Sequence, residues 1–233
     1  TASKEFLMRQ VRHLSTFAAA TLLAMAALPA HAEYLVNYEV TIVNTTYNQS
    51  FTPLLLATHR PTVSIFAAGT PASPQLRTLA EGGDVTPLKT LLDSLPQVTA
   101  TVAGDALLGP GKTISFRIQA NPLRDRLSLA AMLIPTNDAF VALNAVSLPV
   151  PGSGQTRLDA AAYDAGTEVN DELCSSIPGP FFAECGGPGG GAQVGGGEGF
   201  VHVHRGMHGV ANFQAASRDW RNAVAQVSVR VVR

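Results

Sequence analysis

The amino-acid sequence predicts an all-β fold, an antiparallel β-sandwich with two short helices inserted between strands. Three observations carry this. Charged side chains make up only 14% of the 233 residues, while Gly (21) and Pro (15) are frequent, a balance that favours a β-rich domain over a helical bundle. Apolar side chains alternate with polar ones at Ile114, Phe116 and Ile118 and again at Val227, Val229 and Val231, the period of a half-buried strand. Turn residues punctuate apolar runs of strand length along the rest of the chain.

The first strand is expected over 34–43, rich in aromatic and β-branched residues, followed by a polar turn at 44–49. Short apolar strands are expected over 53–58 and 62–66, on either side of His59-Arg60-Pro61. Ser73-Pro74 then supplies an N-cap and a first-turn proline, Leu76, Leu79 and Ala80 share one helical face, and Gly82-Gly83 ends the helix. A second helix begins near Asp84, carries Leu88, Leu91, Leu92 and Leu95 as a core-facing stripe, and stops at Pro96. Strands follow over 97–102, 112–119 and 127–134. Pro135 ends the last of these and delivers Asp138 into a loop, after which Phe140, Val141 and Leu143 resume apolar character. A turn at 149–154 and a strand over 157–163 lead into an acidic turn. The Gly-rich stretch, densest over 186–199, reads as a mobile loop within the domain. Two further strands are expected at 200–204 and 225–232, the second paired into the sheet and closing the core.

Residues 1–32 read as a signal peptide with an N-terminal extension. Arg9, Arg12 and His13 form a basic start, the run from Phe17 to Leu28 is apolar but shorter than the roughly 20 residues a membrane helix needs, and Ala30-His31-Ala32 offers a cleavage site. Met8 is the natural start, and the domain is expected over 33–233. Cleavage takes three of the 16 basic and one of the 17 acidic residues, leaving 13 and 16 and a formal net charge of −3. That balance offers no footprint for nucleic acid and no polybasic run for an anionic membrane, and no second long apolar segment predicts a membrane span. A periplasmic or secreted location follows from the signal. In such an oxidising compartment Cys174 and Cys185 are expected to form a disulfide, the alternative being two free thiols.

Chemistry concentrates in two places. Asp138 follows a strand-ending proline, and Asp164 and Glu168 bracket Ala165-Gly166, with Asn170, Asp171 and Glu172 close behind. Strand-end loops of this kind gather the six to eight oxygens that Ca²⁺ takes, and a glycine lets carbonyls join; the alternative is a solvated acidic loop. The spacing is not that of an EF-hand. The second place is His202-Val203-His204-Arg205-Gly206-Met207-His208. On a strand His202 and His204 share a face, and His208 returns across the Gly206 turn, a sketch of a Zn²⁺ or Cu²⁺ site. Its alternative is a polar strand end with hydrogen-bonded imidazoles. Nucleophilic catalysis finds no Gly-x-Ser-x-Gly elbow, Gly109-Pro110-Gly111-Lys112-Thr113 lacks P-loop spacing, and Trp220 reads as a packed anchor before the last strand.

The segment Asp164-Ala165-Gly166-Thr167-Glu168 resembles the DAGTD segment of the spondin N-terminal domain family. Pro135 to Ala142 is similar to that family's PSPDWFVG segment, with Ala139 in place of the tryptophan, and Leu79 to Asp84 resembles its acidic, glycine-containing helix break. The resemblance covers most of the expected domain, in order. It implies an antiparallel β-sandwich that binds calcium at one end of its sheets, with Asp138, Asp164 and Glu168 as ligands. The function expected is a non-catalytic recognition or adhesion role at the cell envelope or outside the cell, toward a protein or surface ligand that the chain does not identify. The competing expectation is a periplasmic transition-metal-handling protein, or a metal-dependent enzyme, built on the three histidines.

Overall fold

A computed structural model describes residues 34–193, 195–221 and 223–233. The expected signal peptide lies outside the described residues. Alternation sets the first strand, β1 (Val36–Asn44), in which Tyr38, Val40 and Ile42 are fully buried while the side chains between them are not. The Asn44 amide group donates to the carbonyls of Gln49 and Leu108, holding the turn into β2 (Ser50–Phe51). Strand β3 (Leu55–His59) is buried on both faces, because one side meets the sheet's core and the other meets helices.

The segment 62–66, expected as a strand, is not one. Val63 and Ile65 are buried as their apolar character demands, but the backbone finds its partner in a side chain: Asn144 Oδ1 accepts from Ile65 N (3.3 Å) and Nδ2 donates to Phe66 O (2.7 Å). Apolar alternation reports burial, and here burial comes without a ladder.

Helix α1 (Pro74–Gly82) starts as expected, with Ser73 Oγ accepting from Leu76 N (3.2 Å), and ends at Gly83 in the left-handed conformation (φ 71°). Helix α2 (Thr86–Asp93) buries Leu88 and Leu92, but Leu91 is 37% exposed, so its apolar stripe is narrower than the leucine spacing suggests. Both helices pack on the outer face of the sheet, enclosing a second apolar cluster with Leu55, Ala130 and Phe140.

The strands β4 (Val98–Ala103), β5 (Thr113–Ala120), β6 (Arg126–Ile134), β7 (Ala139–Ser147) and β8 (Gln155–Asp164) follow within a residue or two of expectation. Then come a small ribbon of β9 (Phe181–Phe182) and β10 (Gly187–Pro188), β11 (His202–Val203), a short α3 (Ala215–Arg218) that sequence reasoning did not anticipate, and β12 (Ala225–Val232).

The strand order is β4-β3-β6-β7-β8-β12-β1-β5, antiparallel throughout, with β2 added to β6 and β11 to β8. The fold is all-β, and its two facing layers are one continuous sheet that curls back on itself until β3 and β4 approach β5; the Thr58 hydroxyl donates across this seam to Gln119 O at 2.6 Å. The main core fills the curl with side chains from β1, β5, β6, β7, β8 and β12. Cys174 and Cys185 form the expected disulfide, and Trp220 packs where the main core meets a third cluster around Phe182 and Phe213. The Gly-rich stretch is laid against the domain: Gly189 N donates to Gly179 O, Gly190 N to Cys174 O and Gly199 N to Gly166 O.

Candidate functional site

Register brings the two acidic turns together. Ala139 of β7 pairs with Asp164 of β8, so the turn before β7 lies beside the turn after β8, and Ala165 N donates to Asp138 O (3.2 Å). Asp138 is fully buried. Its Oδ2 accepts three hydrogen bonds, from Thr167 N (2.7 Å), Thr167 Oγ1 (3.1 Å) and Glu168 N (3.1 Å), while its Oδ1 is buried with no partner. Burial, followed by the Asp164 charge, pushes the Asp138 carboxyl up to about 7 despite those donors.

Gly166 makes the second turn possible. It sits at φ 68°, and a Cβ there would lie 2.3 Å from Phe200 O, so only glycine fits against the returning chain. Glu168 beyond it is fully buried and bridges to Gly195 and Gly196 of the Gly-rich stretch. Neither of its carboxyl oxygens makes a hydrogen bond of ordinary geometry, and the Gln193 backbone N–H offsets this only in part. Burial, then the charges of Glu81 and Asp138, raise the Glu168 carboxyl to about 8. Glu81, which the sequence marks only as part of a helix break, thus joins the acidic group from the end of α1, paired with Arg77 at 2.6 Å.

Asp164 faces both sites. Its Oδ1 accepts from Gly166 N (2.7 Å) and its Oδ2 from Asn170 Nδ2 (2.8 Å). On its other side stand the histidines. β11 pairs with β8 so that His202 lies opposite Asp164. His202 Nε2 is 3.8 Å from Asp164 Oδ1 and 3.5 Å from Glu198 Oε2, and His204 Nε2 is 3.7 Å from Asp164 Oδ2. The ring tautomers follow from their neighbours. Val203 O can only accept, so His202 Nδ1, at 3.0 Å, carries a proton; Gly206 N–H can only donate, so His204 Nδ1 accepts it at 3.0 Å. Burial holds His204 down at about 4, under the tilted Trp220 ring at a centroid distance of 5.0 Å. Burial also lowers His202, but the Val203 carbonyl, Asp164 and Glu198 outweigh it and leave this imidazole above its ordinary value.

The two expected constellations therefore share one carboxylate. His208 does not join them: its side chain is exposed, and its backbone N–H is held by Glu172 Oε1. Asp171 and Glu172 are occupied as loop ties, Asp171 accepting from Asn137, Leu173 and Ser176, and Glu172 from His208 N and Val210 N. Among the described residues, the group of three metal-capable side chains whose ligand atoms all lie within 4.8 Å of one another is Asp164, Glu198 and His202. Glu198 was not among the expected residues, since a lone glutamate in a glycine tract carries no spacing signal.

Compared with known proteins, residues 32–175 match the family model described as Spondin_N. No curated protein matches the chain.

Proposed function

The chain belongs to the spondin N-terminal domain family, and from that premise we propose that it is an exported, calcium-binding recognition or adhesion domain without catalytic activity. One observation supports it above the others: Asp138 Oδ1 and both Glu168 carboxyl oxygens are buried without a hydrogen bond of ordinary geometry, beside a third carboxylate at Asp164. Burying such a group without a cation drives protons onto it, whereas a hard cation satisfies the same oxygens. The donor set fits Ca²⁺, being all oxygen. Asp138 and Glu168 would hold the ion with Asp164 at the margin, and the ion would lock the turns after β6 and β8 to each other. Calcium in this role is structural, shaping strand-end loops that present a surface to a protein or surface ligand outside the cytoplasm. The disulfide suits export, and no helix among the described residues is long and apolar enough to cross a membrane.

The enzyme alternative asks for three imidazoles around one point. Two of them face Asp164 while the His208 side chain is exposed, which favours the calcium reading.

The experiment is metal analysis of the exported protein, paired with thermal unfolding in EDTA and add-back of Ca²⁺ or Zn²⁺. The expected result is about one calcium per chain, with the melting temperature restored by Ca²⁺ and that restoration lost in Asp138→Asn and Glu168→Gln. A melting temperature indifferent to Ca²⁺ would overturn the proposal.

A further inference from the structure

We propose that Asp164, Glu198 and His202 bind one divalent transition cation of the Zn²⁺ class, at a site separate from the all-oxygen group of Asp138 and Glu168. The His202 Nδ1–H is committed to Val203 O, so in the neutral ring Nε2 presents its lone pair, and that atom is buried without a hydrogen-bond partner. It faces Glu198 Oε2 at 3.5 Å and Asp164 Oδ1 at 3.8 Å. These separations are long for hydrogen bonds. They are close to what one tetrahedral ion imposes: ligands about 2.0–2.2 Å from zinc stand about 3.3–3.6 Å apart. A ring nitrogen donated to a backbone carbonyl, with the other free toward carboxylates, is how a metal-ligating histidine is oriented.

A second observation points the same way. The His204 side chain is only 7% exposed, and its Nε2, also without a hydrogen-bond partner, is aimed at Asp164 Oδ2 from behind the site. Because its Nδ1 accepts from Gly206 N, the neutral ring carries its proton on Nε2, and that unsatisfied N–H faces the Asp164 carboxylate at 3.7 Å. Donor chemistry selects the ion. One imidazole with two carboxylates suits zinc or copper, whereas Ca²⁺ prefers six or more oxygens. Glu198 is partly exposed, which leaves a further coordination position open to water. The three ligands come from the end of β8, from β11 and from the Gly-rich stretch, so the ion would clip that stretch to the sheet.

This inference does not depend on calcium occupancy, and its test separates the two sites. Zn²⁺ alone is titrated calorimetrically, near neutral pH, into the calcium-saturated full chain and into His202→Ala, Glu198→Gln and Asp138→Asn. One zinc per chain is expected, weakened at least about tenfold in His202→Ala and Glu198→Gln and unchanged in Asp138→Asn. A cooperative thermal transition at the parent's temperature in EDTA should persist in the first two variants, both at partly exposed side chains, which reports that they remain folded whether or not calcium binds. Co²⁺ substitution provides a second readout, with d–d absorption characteristic of a mixed nitrogen and oxygen site in the parent and lost in His202→Ala. The proposal is overturned if the parent takes up no stoichiometric zinc, which would leave a proton-bridged ion pair at these three residues. Unchanged zinc affinity in both ligand variants would overturn it equally.

Discussion

Replacing Asp138 by Asn separates the burden of a buried charge from the benefit of a bound ion, and the two have opposite signs. In the metal-free protein the Asp138 carboxyl stands at about 7 against an ordinary value of 3.8, with burial the largest cause and Asp164 the next. A folded value above the unfolded one means that the native state holds the proton more tightly. Stability is then highest below the unfolded value and falls as pH rises toward the folded one. At about 1.36 kcal/mol per tenfold change, the full effect is about 4 kcal/mol by pH 8. Asn keeps an oxygen able to accept from Thr167 N, Thr167 Oγ1 and Glu168 N, and removes the charge. In EDTA the variant should therefore match the parent near pH 4 and exceed it near pH 8, by roughly 8–16 °C in melting temperature for a domain of this size. With Ca²⁺ at about a hundredfold excess over its dissociation constant the parent gains about 2.7 kcal/mol and the variant does not. Differential scanning calorimetry at both pH values, with and without Ca²⁺, reads all four quantities. A parent whose metal-free stability is flat between pH 4 and 8, or an Asn variant less stable than the parent in EDTA at the upper pH, would refute the reasoning.

Other perturbations test the surroundings. Gly166→Ala forces a Cβ to 2.3 Å from Phe200 O at a positive φ and should lose at least about 2 kcal/mol in urea unfolding. Reducing the Cys174–Cys185 bridge, which spans a sequence separation of 11, should lower stability by about 2–3 kcal/mol in the loop-entropy model, seen as a thermal shift with reductant. Arg218 pairs with Glu184 at 2.8 and 2.9 Å and lies over the Phe182 and Phe213 rings. Arg218→Ala leaves that glutamate without its partner and should cost about 3 kcal/mol in chemical denaturation.

Strand positions were legible because alternation survives wherever one face is buried, as in β1, β5 and β12. The helix starts were legible because capping chemistry is local, as at Ser73. The segment around Val63 and Ile65 misled because its backbone is satisfied by Asn144, some eighty residues away, and no local pattern encodes that. Likewise, the acidic turns and the histidines each stood out, but their meeting at Asp164 depends on the register of β11 against β8. Glu198 and Glu81 enter through the same long-range geometry. The glycine tract looked unconstrained in composition, yet its small residues let its backbone lie directly on the 174–179 segment and on Gly166.

Strand β12 sits between β1 and β8, with Glu39 bonded to Arg230 across 191 positions of chain. At about 5–20 residues per second, a ribosome needs roughly 10–40 s to add the partner that β1 awaits. Throughout that interval β1, and from its own synthesis β8, carries an open hydrogen-bonding edge of the kind that recruits neighbouring chains. Assembly therefore runs against the order of synthesis: a strand made after both of its neighbours is inserted between them, and the chain must be shielded from its own kind until it arrives.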